Sequence, residues 1–95
     1  MPAYVYIVAS RKDGTLYTGV TADLGRRIFE HKQRLGRGFT SRYGAFRLVW
    51  YCEYQDIGEA LVAEKRIKKW RRQWKIDLIE QMNPDWGELY GGIGW

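Results

Sequence analysis

The chain has 95 residues, 45% of them apolar and 16% aromatic, which is the composition of one small folded domain and excludes a disordered chain. A formal charge of +5 favours an anionic partner, with nucleic acid among the candidates. The lone Cys52 excludes an intramolecular disulfide, and no apolar run is long enough to span a membrane, so a soluble, cytoplasmic protein is expected.

The first predicted element is a β-prone run, Tyr4 to Ala9. Asp13-Gly14 follows as a hairpin signal, and Leu16 to Val20 is the returning strand. Loop length matters here. A loop of two or four residues centred on Asp13-Gly14 points Tyr6 and Tyr17 to one face, whereas a three-residue loop separates them. Thr21 or Asp23 can cap the helix that follows, expected over about Leu24 to Leu35. At about 100° per residue, Leu24, Ile28 and Leu35 form its inward stripe, and Arg27 and His31 fall on or beside it. A cation on a core-facing side needs a partner, because an unpaired buried charge is costly.

The segment Gly36 to Gly44 reads as a loop that offers Arg37 and Arg42 to a phosphate or else leaves them solvated. Phe46 to Tyr54 is a third strand, apolar enough to be expected at the centre of the sheet. The second clear helix is Ile57 to Trp70, with Ile57, Ala60, Ala63, Ile67 and Trp70 as its apolar stripe. Glu64 falls inside that stripe. A carboxylate there reads either as one half of a salt bridge to a core arginine or as a metal ligand or catalytic acid. Lys65, Arg66, Lys68, Lys69, Arg71, Arg72 and Lys75 make the densest basic run, interleaved with Trp70 and Trp74. That composition suits a nucleic-acid backbone, but equally a solvated helix face with tryptophans in the core. A last helix, about Arg72 to Met82, is expected to turn Trp74, Leu78, Ile79 and Met82 inward, and Asn83-Pro84 ends it. One domain over 1–83 is expected, with a glycine-rich, mobile tail over 84–95 whose Trp86 and Trp95 can dock on the body.

Three strands with helices on one side give an α+β fold of order β-β-α-β-α-α, with a mixed or antiparallel sheet. On it lie Tyr4-Val5-Tyr6, Tyr17-Thr18-Gly19, Thr21-x-Asp23-Leu24-x-x-Arg27-x-x-x-His31 and Glu64. This series resembles the GIY-YIG nuclease superfamily, and most of all its short stand-alone bacterial members, over about residues 3 to 80. Tyr4-Val5 stand where the first family tripeptide has Gly-Ile, and Thr18 stands where the second has Ile. Both motif tyrosines and Gly19 are kept.

The resemblance implies metal-dependent hydrolysis of a nucleic-acid phosphodiester, DNA before RNA. It makes Tyr17 the group that activates the attacking water and Tyr6 a holder of that water and the phosphate. Arg27 becomes the stabiliser of phosphoryl charge, His31 a hydrogen-bond or proton-transfer partner of a tyrosine, and Glu64 the ligand of one Mg²⁺ or Mn²⁺. Gly19 lets backbone pack closely beside the site. Arg37, Arg42, Lys68, Lys69, Arg71 and Arg72 are the expected nucleic-acid contacts. The appended recognition domains of larger members do not fit in this chain, so sequence specificity is expected to be low or supplied by a protein partner. The competing expectation is a nucleic-acid-binding module that keeps the fold without catalysis.

Overall fold

The structure is a computed structural model, and it describes residues 1–33 and 47–93. In chain order come β1 (Ala3–Ala9), β2 (Leu16–Thr21), α1 (Leu24–Gln33), β3 (Arg47–Tyr54), α2 (Ile57–Lys68) and α3 (Arg72–Met82), and a 3₁₀ turn follows at Tyr90–Gly92. The sheet has the order β2-β1-β3 and is antiparallel throughout.

The central strand is therefore β1, not β3 as its apolar character led us to expect. The two runs differ in what they can hide. Six of the seven residues of β1 are fully or almost fully buried, with Ala3, Val5, Ile7 and Ala9 on one face and Tyr6 and Val8 on the other. Strand β3 begins with Arg47 and carries the exposed Glu53, which an edge position tolerates. A bulge between Ile7 and Val8 puts Val49 into β3 as an extra residue, and Asn83 Nδ2 donates to the Val49 carbonyl at 3.1 Å.

A strand buried on both faces needs cover on both faces, and this corrects the expectation of helices on one side. Helices α2 and α3 cover the Val5–Ile7 face through Ala60, Ala63, Ile67 and Ile79. Helix α1 covers the Tyr6–Val8 face through Leu24 and Ile28. Asp23 caps α1, accepting from the Arg26 amide at 3.2 Å, while Thr21 Oγ1 accepts from the Asp23 amide at 3.1 Å. Asp56 caps α2 in the same way, accepting from the Glu59 amide at 2.9 Å.

Several residues expected inward point outward. Trp74 is 51% exposed, Met82 43% and Ile57 46%. Leu78 packs against the core as expected, but the innermost line is Ile76, Ile79 and the capping Asn83, spaced three and four apart, which leaves Trp74 on the opposite side of the helix. Trp70 is partly buried against the core.

The segment after α3 is not loose as far as residue 93. Trp86 is fully buried in the α2–α3 core, its indole donating to Glu80 Oε2 at 2.8 Å. Glu88 accepts from the Leu48 amide at 2.8 Å and pairs with Lys32, and the Leu89 amide donates to the Leu48 carbonyl at 2.9 Å. An aromatic side chain of this size, with an acidic anchor two residues on, outweighs the entropy of a glycine-rich segment. The ends of the predicted helix and strand at Leu35 and Phe46, and Trp95, lie outside the described residues.

Candidate active site

The β1–β2 hairpin sets the geometry. Ser10 and Thr15 close it, with the Ser10 amide donating to the Thr15 carbonyl at 3.1 Å, and Arg11–Gly14 form a four-residue loop. Asp13 takes the left-handed backbone at φ 58°, which a short polar side chain tolerates. The loop is centred one residue earlier than Asp13-Gly14, but its even length keeps the parity. Tyr6 pairs with Gly19 and Val8 with Tyr17, so both tyrosines lie on the α1 face. Gly19 is required there: a Cβ on it would meet Tyr6 Oη at 2.4 Å and Cζ at 2.5 Å. The phenol of Tyr6 lies directly over the backbone that a side chain would otherwise cover.

Helix α1 lowers two side chains onto that phenol. His31 Nε2 is 2.9 Å from Tyr6 Oη, and Arg27 Nε donates to the same oxygen at 3.3 Å. The residues are four apart, so one helix face presents both. Burial, with the Arg27 charge beside it, pushes the His31 imidazole down to about 4. Burial also pushes the Tyr6 phenol up to about 12, against the hydrogen bond and charge of Arg27, which pull it down. At neutral pH both groups are therefore uncharged. Tyr6 Oη and His31 Nε2 share one hydrogen bond, and the Tyr6 oxygen accepts from Arg27. Arg27 reaches out to Glu30 Oε1 at 3.2 Å, and its side chain is 42% exposed. Tyr17 completes a three-ring cluster, its centroid 6.5 Å from Tyr6 and 5.7 Å from His31.

Glu64 comes from the other layer. Helix α2 packs along β2 at the open edge of the sheet, and Glu64 is 8% exposed there. It lies close enough to Tyr6 for its charge to add to the upward pressure on the phenol. Its ion-pair partner is Lys68, at 2.9 Å, rather than a core arginine. The Lys68 ammonium also lies 5.9 Å from the centre of the Tyr17 ring. Lys68 therefore stands inside the site. The Glu-x-x-x-Lys spacing is the signal for this pairing, since residues four apart on a helix are neighbours.

Tyr6, Tyr17, Arg27, His31 and Glu64 are thus brought to one region. The predicted nucleic-acid contacts divide. Lys69 and Arg71 are exposed. Arg72 donates through Nη2 to the carbonyls of Asp13 at 2.8 Å and Gly14 at 2.6 Å, tying α3 to the hairpin. Arg37 and Arg42 lie outside the described residues. Among the described residues no three His, Cys, Asp or Glu side chains form a metal-holding group. A cleft of about 940 Å³, lined by Tyr4, Asp23, Phe29, Tyr51 and Glu53, includes none of the five. It lies on the other flank of α1, facing β3.

Comparison with known proteins places this constellation. The GIY-YIG catalytic domain matches residues 2–77 of the chain. The chain belongs to the GIY-YIG family. That family is a nuclease superfamily, and each motif tyrosine of this member lies in the ring cluster just described. A UPF0213 protein of Staphylococcus saprophyticus is 38% identical over 78 residues, covering 82% of this chain and 94% of the relative. A UPF0213 protein of Streptococcus agalactiae is 36% identical over 81 residues, covering 85% and 91%. The solution NMR structure of a UPF0213 protein of Bacillus halodurans is similar with a TM-score of 0.54 and 37% identity, over 87% of each chain. The GIY-YIG match ends within α3, so Trp86 and Glu88 lie beyond it. None of the described helices is long and apolar enough to cross a membrane.

Proposed function

We infer that this protein is a cytoplasmic endonuclease that hydrolyses nucleic-acid phosphodiester bonds, DNA before RNA, with one Mg²⁺ or Mn²⁺. The observation that carries this reading is the meeting of Tyr6, His31 and Arg27 at one hydroxyl, beside Tyr17 and within electrostatic reach of Glu64.

The residues divide the work. Arg27 is anchored by its Nε on Tyr6 and keeps a partly exposed guanidinium for the phosphoryl oxygens, where charge grows in the transition state. Tyr6 is a fixed polar support rather than a base, since its hydroxyl is held by His31 and Arg27. Tyr17 orients the attacking water through its hydroxyl. The neutral His31 fixes the phenol's direction through Nε2.

The donor set suits an ion that keeps most of its own water. Mg²⁺ is commonly held by one or two carboxylates plus substrate oxygens, so a single Glu64 is compatible with it. When bound there, the ion supplies polarisation of the phosphoryl oxygen and of the leaving 3′-oxygen. Lys68 holds Glu64 in its absence and must give way to it. The same ion pair is what favours the second reading, a binding module without catalysis, because Lys68 already neutralises the carboxylate. Specificity would come from a protein partner in either case.

Nicking of a fluorescent branched DNA, with Mg²⁺ or Mn²⁺ against EDTA, tests the proposal. We expect metal-dependent cleavage in the wild type, none in Glu64→Ala, and retained DNA binding in both. Binding without cleavage under every metal assigns the chain to the second reading. Cleavage that survives Glu64→Ala refutes the metal assignment.

A further inference from the structure

Among the described residues Trp74 is the largest aromatic side chain the fold leaves in solvent, at 51% exposure. It is held in place rather than loose. Its ring meets Trp70 edge-on, with centroids 6.1 Å apart and planes at 79°, and the Arg71 guanidinium lies 5.2 Å from its centre. The run that leads to it is strongly basic, with the exposed Asp77 one turn further on. From Lys65 to Lys75 the chain has seven cations and no carboxylate, and Lys69 and Arg71 are exposed. An aromatic face beside exposed cations is what a single strand of nucleic acid uses.

The first turn of α3 is also fixed to the hairpin loop and to the end of α2. Arg72 ties it to the hairpin that carries Tyr17, and Lys75 Nζ donates to the Lys68 carbonyl at the end of α2 at 3.2 Å. A continuous series of contacts runs from Trp74 through Trp70 and the end of α2 to Lys68, which lies over Tyr17.

We propose that Trp74 is a stacking platform for an unpaired base of the substrate strand, with Lys69 and Arg71 holding the phosphates on either side. The inference rests on the nuclease reading and narrows its substrate to DNA with a single-stranded segment. In a duplex the base faces are already stacked on one another, so only an unpaired base can offer one to Trp74. Arg71 either sandwiches that base or moves onto its phosphate.

The test is equilibrium binding of fluorescein-labelled oligothymidylate and of a matched duplex to the full chain in EDTA, read by anisotropy. Wild type, Trp74→Ala and Trp74→Phe are compared. We expect Trp74→Ala to weaken single-strand binding by roughly five-fold to one hundred-fold, as loss of one base–aromatic stack does, and duplex binding by less than about two-fold. Trp74→Phe keeps most of the affinity, and unchanged melting of each variant shows that the fold is intact. Equal loss on both DNA forms, or none, overturns the platform while leaving the nuclease reading to its own cleavage assay. A wild type that binds neither form at low salt overturns both. Self-association that disappears in Trp74→Ala assigns the face to a second copy of the chain and overturns the platform as well.

Discussion

The Tyr6 hydroxyl serves two neighbours at once, sharing a hydrogen bond with His31 and accepting another from Arg27. This arrangement needs Gly19, and Gly19→Ala is the cleanest way to disturb it. The new methyl cannot fit 2.4 Å from Tyr6 Oη, so the buried ring must move. Overpacking of that kind costs about 1–3 kcal/mol, and a shifted phenol takes Arg27 with it. We expect a lower melting temperature and at least about a ten-fold loss of cleavage, the latter because misplaced positioning groups act on the barrier. Wild-type activity in Gly19→Ala would show that the ring's position is immaterial.

His31 gives a second prediction at the same scale. Its folded value near 4 lies below the ordinary histidine value of about 6.5. Between these two pH values the unfolded chain binds the proton and the folded chain does not. Stability from this group is therefore complete above about pH 6.5 and is lost as the pH falls towards about 4, by up to about 3 kcal/mol. Urea unfolding across that window should be steeper in pH for wild type than for His31→Gln, since the carboxylate background is common to both. His31 is the chain's one histidine, so its ring resonances report the same titration directly. A midpoint near 6.5 in the folded protein would contradict the buried, neutral ring.

At the level of elements, much of the site was legible and part of the fold was not, for different reasons. Helix α1 was readable because Arg27 and His31 are four apart and Asp23 marks its start. The parity of the hairpin was readable because an even loop keeps Tyr6 and Tyr17 on one face whatever its exact centre. Sheet order was not readable. Both β1 and β3 are apolar runs, and only long-range pairing distinguishes a strand covered on two faces from an edge strand. That Trp86 could dock was readable, but its full burial was not, because that depends on a cavity that distant helices create. Arg72 looked like any other member of a basic run, yet it holds two loop carbonyls. Charge-assisted hydrogen bonds of this sort are worth about 1–3 kcal/mol. Arg72→Ala should therefore destabilise the fold by that order and speed amide exchange in the β1–β2 loop, whereas Lys69→Ala should change stability by less than about 0.5 kcal/mol. Equal stability in the two variants would mean that the tie between α3 and the hairpin contributes nothing.

Across the whole molecule, a net charge of +5 does not say where nucleic acid lies, but the partners of each cation do. Lys68 is engaged with Glu64, Arg72 with loop carbonyls, and Arg26 and Arg27 with Glu30. Lys69 and Arg71, one on each side of Trp70, face solvent at the end of α2 and the start of α3. Cations that bind phosphate release counterions, and each phosphate contact contributes about 0.9 to the slope of log affinity against log salt on duplex DNA. Lys69→Gln and Arg71→Gln together should thus weaken binding and flatten that slope by about 1.8. Arg72→Gln should leave the slope as it is, even though it belongs to the same basic run and carries the same charge. Binding measured across a salt series for the three proteins separates a local interface from a diffuse one. If Arg72→Gln flattens the slope as much as the double variant does, affinity follows total charge rather than position. The α2–α3 junction then loses its claim to be where the strand is held.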